Sequence, residues 1–474
     1  MTAGDRRIDH PAVGPSADLE RWARKTPDRT ALAWSGGRLT FGELSGQVAM
    51  RSGELASDGV APGSVASLDF REGPNYFRDL LALWHVGAVV APHPLRSTDR
   101  EREQLDRLFR PSWRLDAEGN LEATDPTGGV LSFDGEAGVS ALVRTSGTGG
   151  APTGVVLSHA AFMASAAASR QRLGLSSEDR WGLALSTAHV GGLGTVVRAL
   201  QLGSSLRFWP AFEPRRLAKA IREGDLTHIS VVPAMCSALL DDGLTGPVET
   251  FRCLLVGGAH MPDSLLQETA RRDLPVALSW GLTEATAQVA TAPPDVVARF
   301  PGTVGLPLDG VEVDVGPEGR MGVRGPTLAH GIVPEPGAAA VPLPLDSGGW
   351  FRTEDVGSID DGGRLWIEGR ADDVIVSGGT NVHPREVEAV LSEAAGVKEV
   401  AVFGIADDRW GQVVVAAVVS NADQPSGADL DRHCRAHLTR GKCPTHIVFV
   451  DGLPRTLSGK VAKSRLPELL SQAP

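Results

Sequence analysis

At 474 residues and 42% hydrophobic content, the chain is long enough for roughly three average domains with sizeable cores, which points to a multidomain globular enzyme. A formal net charge of -12 argues against a general nucleic-acid or anionic-membrane surface, while leaving room for local basic pockets. The opening residues, MTAGDRRIDHPAVG, lack the apolar core of a signal peptide, and no apolar run approaches the roughly 18 residues of a membrane span. Cys236, Cys253, Cys434 and Cys443 form no C-x-x-C pair and have no His cluster at metal-ligand spacing, so buried free thiols in a reducing cytoplasm are expected.

In chain order, YFRDLLALWHVGAVVAPH predicts an amphipathic helix, a stop at Gly87 and a strand closed by Pro92. FMASAAASRQRLGLSSEDRWGLALS and AKAIREGDLTHISVVP repeat the helix, loop and strand order, the second punctuated by Pro233. Such repeats predict an α/β protein with parallel sheets covered by helices. After Thr303, VEVDVGPEGRMGVRGP reads as two short strands about a Gly-Pro turn in a small β region. The Pro-rich run from Val333 to Gly349 reads as an exposed loop. Beyond Gly369–Asp373 (GRADD) about a hundred residues carry their own helix and strand patterns, enough for a separate small α+β domain. The boundary is placed at Asp372, giving domains 1–371 and 372–474.

The stretch from Arg144 to Phe162, RTSGTGGAPTGVVLSHAAF, crowds Ser, Thr and Gly so that backbone N–H groups and the hydroxyls of Thr145, Ser146 and Thr148, with Gly147 between, can converge on an anion. In WGLTE, Trp280 can offer a flat face to a base or simply pack in a core, Gly281 follows it, Thr283 can donate to phosphate, and Glu284 can hold Mg²⁺ through oxygen. Gly257, Gly258 and Ala259 permit close backbone approach, as they would in any tight turn. Asp355, read as a strand end beside a glycine, can accept from both ribose hydroxyls with Arg370 as a fixed positive fork; in isolation the two would read as a surface ion pair. Lys460 in TLSGKVAKS sits on a Gly-hinged loop and can meet a carboxylate or phosphate as a point charge, or be a solvated surface lysine.

Together with TPDRTALAWSGGRLTFGEL, STAHVGGLGTVVRALQLG, LLVGGAHMP, GWFRTEDVG and GRADDVIVSGGTNVHPREVE, these segments resemble the superfamily of adenylate-forming enzymes, which includes acyl-CoA synthetases, peptide-synthetase adenylation domains and luciferases. The resemblance covers nearly the whole chain. It implies ATP or an acyl-adenylate, Mg²⁺ and coenzyme A as cofactors. It further implies a mobile small domain with Asp372 as its hinge, Lys460 as the adenylation lysine, and Gly378 and Gly379 beside the pantetheine. The acyl pocket is expected around His189, Gly257 to Ala259 and Ala285 to Gln288, whose small side chains favour a bulky apolar or aromatic acid. No Asp follows His189 closely, which counts against an α-amino acid. TEATAQVAT looks most like the aryl and o-succinylbenzoyl-CoA ligases. The chain stops soon after the Lys460 loop, so a free thiol, coenzyme A first and a stand-alone carrier protein second, is the expected acceptor. A homodimer is left open.

The family's phosphate loop normally continues Thr-Gly and then Pro-Lys-Gly, whereas this chain has Gly149 in place of a hydroxyl residue and Thr153 in place of the lysine. Both changes weaken contacts to the β- and γ-phosphates. The leading expectation is therefore a ligase impaired in adenylation that mainly thioesterifies an acyl-adenylate supplied by a separate adenylating enzyme. Its rivals are a complete two-step aryl or o-succinylbenzoyl-type ligase and a noncatalytic acyl-adenylate binder.

Overall fold

Val65–Leu68, His228–Val231 and Cys253–Val256 are buried at every position, as strands covered on both faces must be. The computed structural model describes residues 15–70, 73–94, 97–124, 131, 138–145, 153–377, 380–407, 410–421, 423–456 and 459–471. Ser146, Gly147, Thr148, Gly149, Gly378 and Gly379 lie outside these residues, and at Asp372 only the backbone is described.

One eight-stranded sheet runs parallel through Val276–Trp280, Cys253–Val256, His228–Val231, Arg180–Leu183, Ser205–Phe208 and Thr30–Trp34, with Ala290–Ala292 and Gly37–Thr40 closing its edges antiparallel. A second sheet orders Val139–Thr145, Val89–Pro92, Val65–Leu68 and Trp113–Leu115 in parallel. Strands Thr153–Ser158, Gly331–Val333, Val341–Pro342 and, at the far edge, Leu121–Ala123 extend it antiparallel. Helices fill the space between the sheets. Leu80, Leu81 and Trp84 of helix Pro74–Val86 share one buried cluster with Leu68 and Val143 of the second sheet and Trp181 and Leu206 of the first. That helix ends on Gly87 in the left-handed region, φ 84°, and Val89–Pro92 follows, as the sequence predicts.

Glu312–Val315, Arg320–Arg324, Phe351–Ile359 and Leu365–Arg370 form a small antiparallel sheet. Asp355 departs here from the sequence reading. It lies inside Phe351–Ile359, opposite Arg370, because a register shift between Val356 and Gly357 lets the strand continue past the glycine. The Pro-rich run is mostly exposed, but Val333, Ala340 and Leu343 turn inward and Val341 pairs with Ile332, so it is tethered along a sheet edge.

After Arg370 a single 3-10 turn, Ala371–Asp373, leads into a mixed five-stranded sheet covered by helices Pro384–Ser392 and Gly427–His437, with its own buried cluster. Among the described residues no helix is long and apolar enough to cross a membrane. Cys236, Cys253 and Cys434 are buried free thiols and Cys443 is half-buried.

Candidate functional site

The parallel strands of the first sheet deliver their loops to one end. After Val231, Val256 and Trp280 the chain leaves the sheet at its carboxyl edge, where ligands of open α/β sheets bind. Gly258 takes φ 77°, a conformation that disfavours side chains. Gly281 is required by space, since a Cβ there would fall 1.6 Å from the Ala287 carbonyl oxygen. Thr286 and Ala287 adopt positive φ of 51° and 81°, folding the loop back, and the Thr286 hydroxyl donates to the Thr327 carbonyl at 2.7 Å. This fold-back presents Thr283 and Glu284 on the turn Thr283–Ala285.

Asp355 reaches this edge from the small sheet. Its Oδ2 accepts the Trp280 indole N–H at 2.7 Å, and its Oδ1 lies 3.8 Å from Arg370 Nη1. Trp280 is only 6% exposed and packs with Val289, Leu308 and Met321, so little of its face is offered to a ligand. The core alternative weighed for Trp280 therefore describes its packing, with a polar task added: the indole ties the edge of the first sheet to the carboxylate.

Lys460 enters on a tight turn in which Gly459, φ 82°, donates to the Thr456 carbonyl at 2.9 Å and Arg455 donates to the Gly459 carbonyl at 2.9 Å. The lysine head lies over Gly258: a Cβ built there would sit 4.0 Å from Nζ. Desolvation lowers the Lys460 pKa, Arg370 adds to that, and Asp355 and Glu284 oppose it. Glu284 is shifted upward by burial, partly offset by Arg370 and Lys460. Among the described residues no cation lies within ion-pair distance of its carboxylate, which is the condition of an oxygen donor fit for a metal ion. His189 precedes helix Val190–Leu202; burial, Lys460 and Arg144 push its pKa down to about 4, so it is neutral near pH 7, and its Nε2 is buried without a hydrogen-bond partner.

Lys460, Glu284, Asp355, Arg370 and His189 thus gather within electrostatic reach of one another, with Gly258 under the lysine, Thr283 next to Glu284 in the chain, and Ala259 exposed. Ala285 does not join them: it is fully buried against Trp280 and Val289, because the fold-back turns it into the core. Gln288 is likewise buried, donating to Thr291 at 2.7 Å. At the neck of the phosphate loop the hydroxyls of Thr145 and Thr153 meet at 2.7 Å across paired strands.

Three arginines, two coupled to the site residues and one on the helix that His189 precedes, escaped the sequence reading. Arg144, at the root of the phosphate loop, acts with Lys460 on His189. Arg385 donates to the Ile367 carbonyl at 3.3 Å, and burial lowers its pKa against the pull of Asp355 and Glu388. Arg198, on the helix that follows His189, is 4% exposed over the Trp181 ring with a buried Nη1 that has no hydrogen-bond partner. All three stand inside quoted motifs, where their charge was the available signal; the depth at which Arg198 is buried has none.

The family model described as AMP-binding enzyme matches residues 19–127 and 133–333, and that of the AMP-binding enzyme C-terminal domain matches residues 386–460. The chain belongs to the AMP-binding enzyme family. It is an acid–thiol ligase of the adenylate-forming type, with the α/β fold and small C-terminal domain of that family. This ligase is 32% identical to the 2-succinylbenzoate–CoA ligase of Geobacillus sp. (strain WCH70), covering 94% of this chain and 95% of that one. It is also 32% identical to that of Geobacillus kaustophilus (strain HTA426), covering 95% and 97%. The o-succinylbenzoate CoA synthetase of Bacillus subtilis, solved with the acyl-adenylate OSB-AMP, superposes with TM-score 0.82 at 28% identity over 95% of this chain and 97% of that one. ATP-bound MatB from Rhodopseudomonas palustris shares the fold, with TM-score 0.85 at 24% identity over 96% and 99%.

Proposed function

We propose that this ligase runs both half-reactions itself, activating an aromatic acid of the 2-succinylbenzoate class with ATP and passing the acyl group to coenzyme A. The observation that carries the proposal is the meeting of Lys460 with Glu284, Asp355 and Arg370 at one site, since adenylation needs a cation where charge develops and anchors for the nucleotide. The names of its relatives and the acyl-adenylate bound by the Bacillus subtilis neighbour support the acid. ATP, Mg²⁺ and coenzyme A are the cofactors. This replaces impaired adenylation as the leading reading.

In this proposal Asp355 accepts from the ribose hydroxyls, held in place by Trp280 and Arg370. Thr145 and Thr283 donate to the α-phosphate, and Glu284 would hold Mg²⁺, which would supply positive charge to offset that of the phosphates. Lys460 steadies the acid's carboxylate as it attacks the α-phosphorus and pyrophosphate leaves. Rotation about Asp372, the proposed boundary between 1–371 and 372–474, then withdraws Lys460 so that the thiol can displace AMP, with Gly378 and Gly379 beside the pantetheine. The neutral His189 borders the acyl group.

Arg198 bears on the acid's chemistry. Among the described residues it has no carboxylate at ion-pair distance, and an uncompensated buried charge is costly. A dicarboxylic substrate such as 2-succinylbenzoate brings a second carboxylate that a buried guanidinium would favour.

The adenylation-impaired reading keeps one specific observation: Thr153 spends its hydroxyl on Thr145 and supplies no charge to the loop. It would require a separate adenylating enzyme. Arg144 answers it within the chain, as a cation at the root of the same loop. Substrate class is tested by comparing turnover of 2-succinylbenzoate, benzoate and acetate with ATP and coenzyme A. Preference for 2-succinylbenzoate, weakened selectively in Arg198→Met, is expected; equal or better use of either monocarboxylate would sink the assignment.

A further inference from the structure

The small domain carries a cluster that the ligase reaction does not use. Helix Gly427–His437 places His433 and His437 one turn apart, so their rings lie side by side, centroids 4.5 Å apart. Glu393 follows the last turn of helix Pro384–Ser392, which packs against it. Each of the three offers one ligand atom, and these atoms lie within 4.8 Å of one another.

The hydrogen bonds of the two imidazoles settle their tautomers. His433 Nε2 is 2.9 Å from the Val390 carbonyl oxygen, and His437 Nδ1 is 2.8 Å from the His433 carbonyl oxygen. A carbonyl oxygen only accepts, so both of those nitrogens carry hydrogen, leaving one bare lone pair on each ring: Nδ1 of His433 and Nε2 of His437. An imidazole whose second nitrogen is anchored to a backbone carbonyl is the arrangement that orients histidines on metals. Val390 is in the last turn of its helix, where its carbonyl takes only a 3.3 Å bond from the Glu393 N–H, and the His433 anchor on the same oxygen ties the two helices together.

We propose that Glu393, His433 and His437 form a binding site for a late first-row divalent cation, Zn²⁺ in the first instance, on the small domain. Two imidazoles and one carboxylate suit Zn²⁺, Cu²⁺ or Ni²⁺ and are a poor set for Mg²⁺ or Ca²⁺, which take oxygen ligands. Metal–nitrogen and metal–oxygen bonds of about 2.0–2.2 Å demand closer donors than the widest spacing here, and the exposed side chains of Glu393 and His437 can close that gap by rotation. Three protein ligands leave the remaining positions to water. The cation would clamp helix Pro384–Ser392 to helix Gly427–His437, far in chemistry from the Mg²⁺ held at Glu284. The expectation of no His cluster at metal-ligand spacing beside the cysteines is corrected here: His433 and His437 bracket Cys434 at H-x-x-x-H spacing on a helix, and the third ligand, Glu393, is 40 residues from His433.

The test is Zn²⁺ titration of the full chain by calorimetry, with no nucleotide and with excess Mg²⁺, on wild type, His437→Gln and Glu393→Gln. His437 and Glu393 are exposed, so both variants are expected to fold, and their far-ultraviolet circular dichroism is compared with that of wild type. One Zn²⁺ bound by wild type, at least tenfold more weakly by each variant, is the expected result, and Co²⁺ bound at the same place should show a ligand-field spectrum that both variants lose. Failure of wild type to bind Zn²⁺, or equal binding by wild type and either variant, overturns the site. Neither outcome touches the ligase reaction, which needs no metal at this position.

Discussion

The indole N–H of Trp280 donates to Oδ2 of Asp355 at 2.7 Å, joining the edge of the parallel sheet to a carboxylate 75 residues further along the chain. If Asp355 holds the ribose, this bond fixes the direction of its second oxygen. Trp280→Phe keeps an aromatic in the core and removes only the donor, a change worth about 1.5–3 kcal/mol for a bond to a charged group. The Michaelis constant for ATP is expected to rise about tenfold or more while that for the acid changes little. An unchanged ATP constant would separate Asp355 from nucleotide binding or show that it needs no positioning.

Lys460 is the cation the site brings closest to the reacting groups by this proposal. Lys460→Ala should slow adenylation about a hundredfold or more, as loss of one preorganised electrostatic contact commonly does. Conversion of a supplied acyl-adenylate and coenzyme A to thioester should survive. Single-turnover assays of each half-reaction decide it, and equal loss in both would remove Lys460 from the first step.

Arg144 and Thr153 are coupled in the proposal, because the first is held to supply the charge that the second lacks. Arg144→Met should lower the adenylation rate about tenfold, and adding Thr153→Lys should restore most of it. In the wild-type background Thr153→Lys alone should give a smaller gain. Four pyrophosphate-exchange measurements close the double-mutant cycle; strictly additive effects would show that the two positions do not share a task.

Burial raises the pKa of Glu284 above its usual 4.5, so the folded protein pays a desolvation cost wherever that carboxyl is ionised. The sign follows from linkage: stability from the protonated form is full below the unfolded pKa and is lost as pH rises through the folded one. Glu284→Gln should therefore raise the melting temperature of the free protein at pH 7, by roughly 2 °C for each 1 kcal/mol relieved, with the gain fading as pH falls through the folded pKa and gone below about 4.5. The same variant should lose Mg²⁺-dependent adenylation. A lower melting temperature at pH 7 would contradict the assignment of Glu284 as a buried carboxylate whose desolvation outweighs the pull of Arg370 and Lys460.

Much of the fold was legible because helix, Gly and strand follow one another in short units, as at Gly87, and because strands buried on both faces are continuously apolar. The residues of the site were legible where they stand on loops after strand ends, Gly258, Gly281 and Glu284 among them. What sequence missed depends on contacts between distant segments. Trp280 and Asp355 meet only when two sheets pack, and Ala285 turns inward only because Thr286 and Ala287 take positive φ. The strand carrying Asp355 runs on past Gly357 through a register shift that no periodicity announces.

The most direct test of the central claim is the ratio of two rates on wild-type protein with 2-succinylbenzoate: ATP–pyrophosphate exchange, and overall formation of acyl-CoA. A complete two-step ligase adenylates its acid at least as fast as it makes the thioester from ATP. Negligible exchange, together with rapid thioester formation from synthetic acyl-adenylate and coenzyme A, would contradict it and return the missing loop lysine to the centre of the reaction.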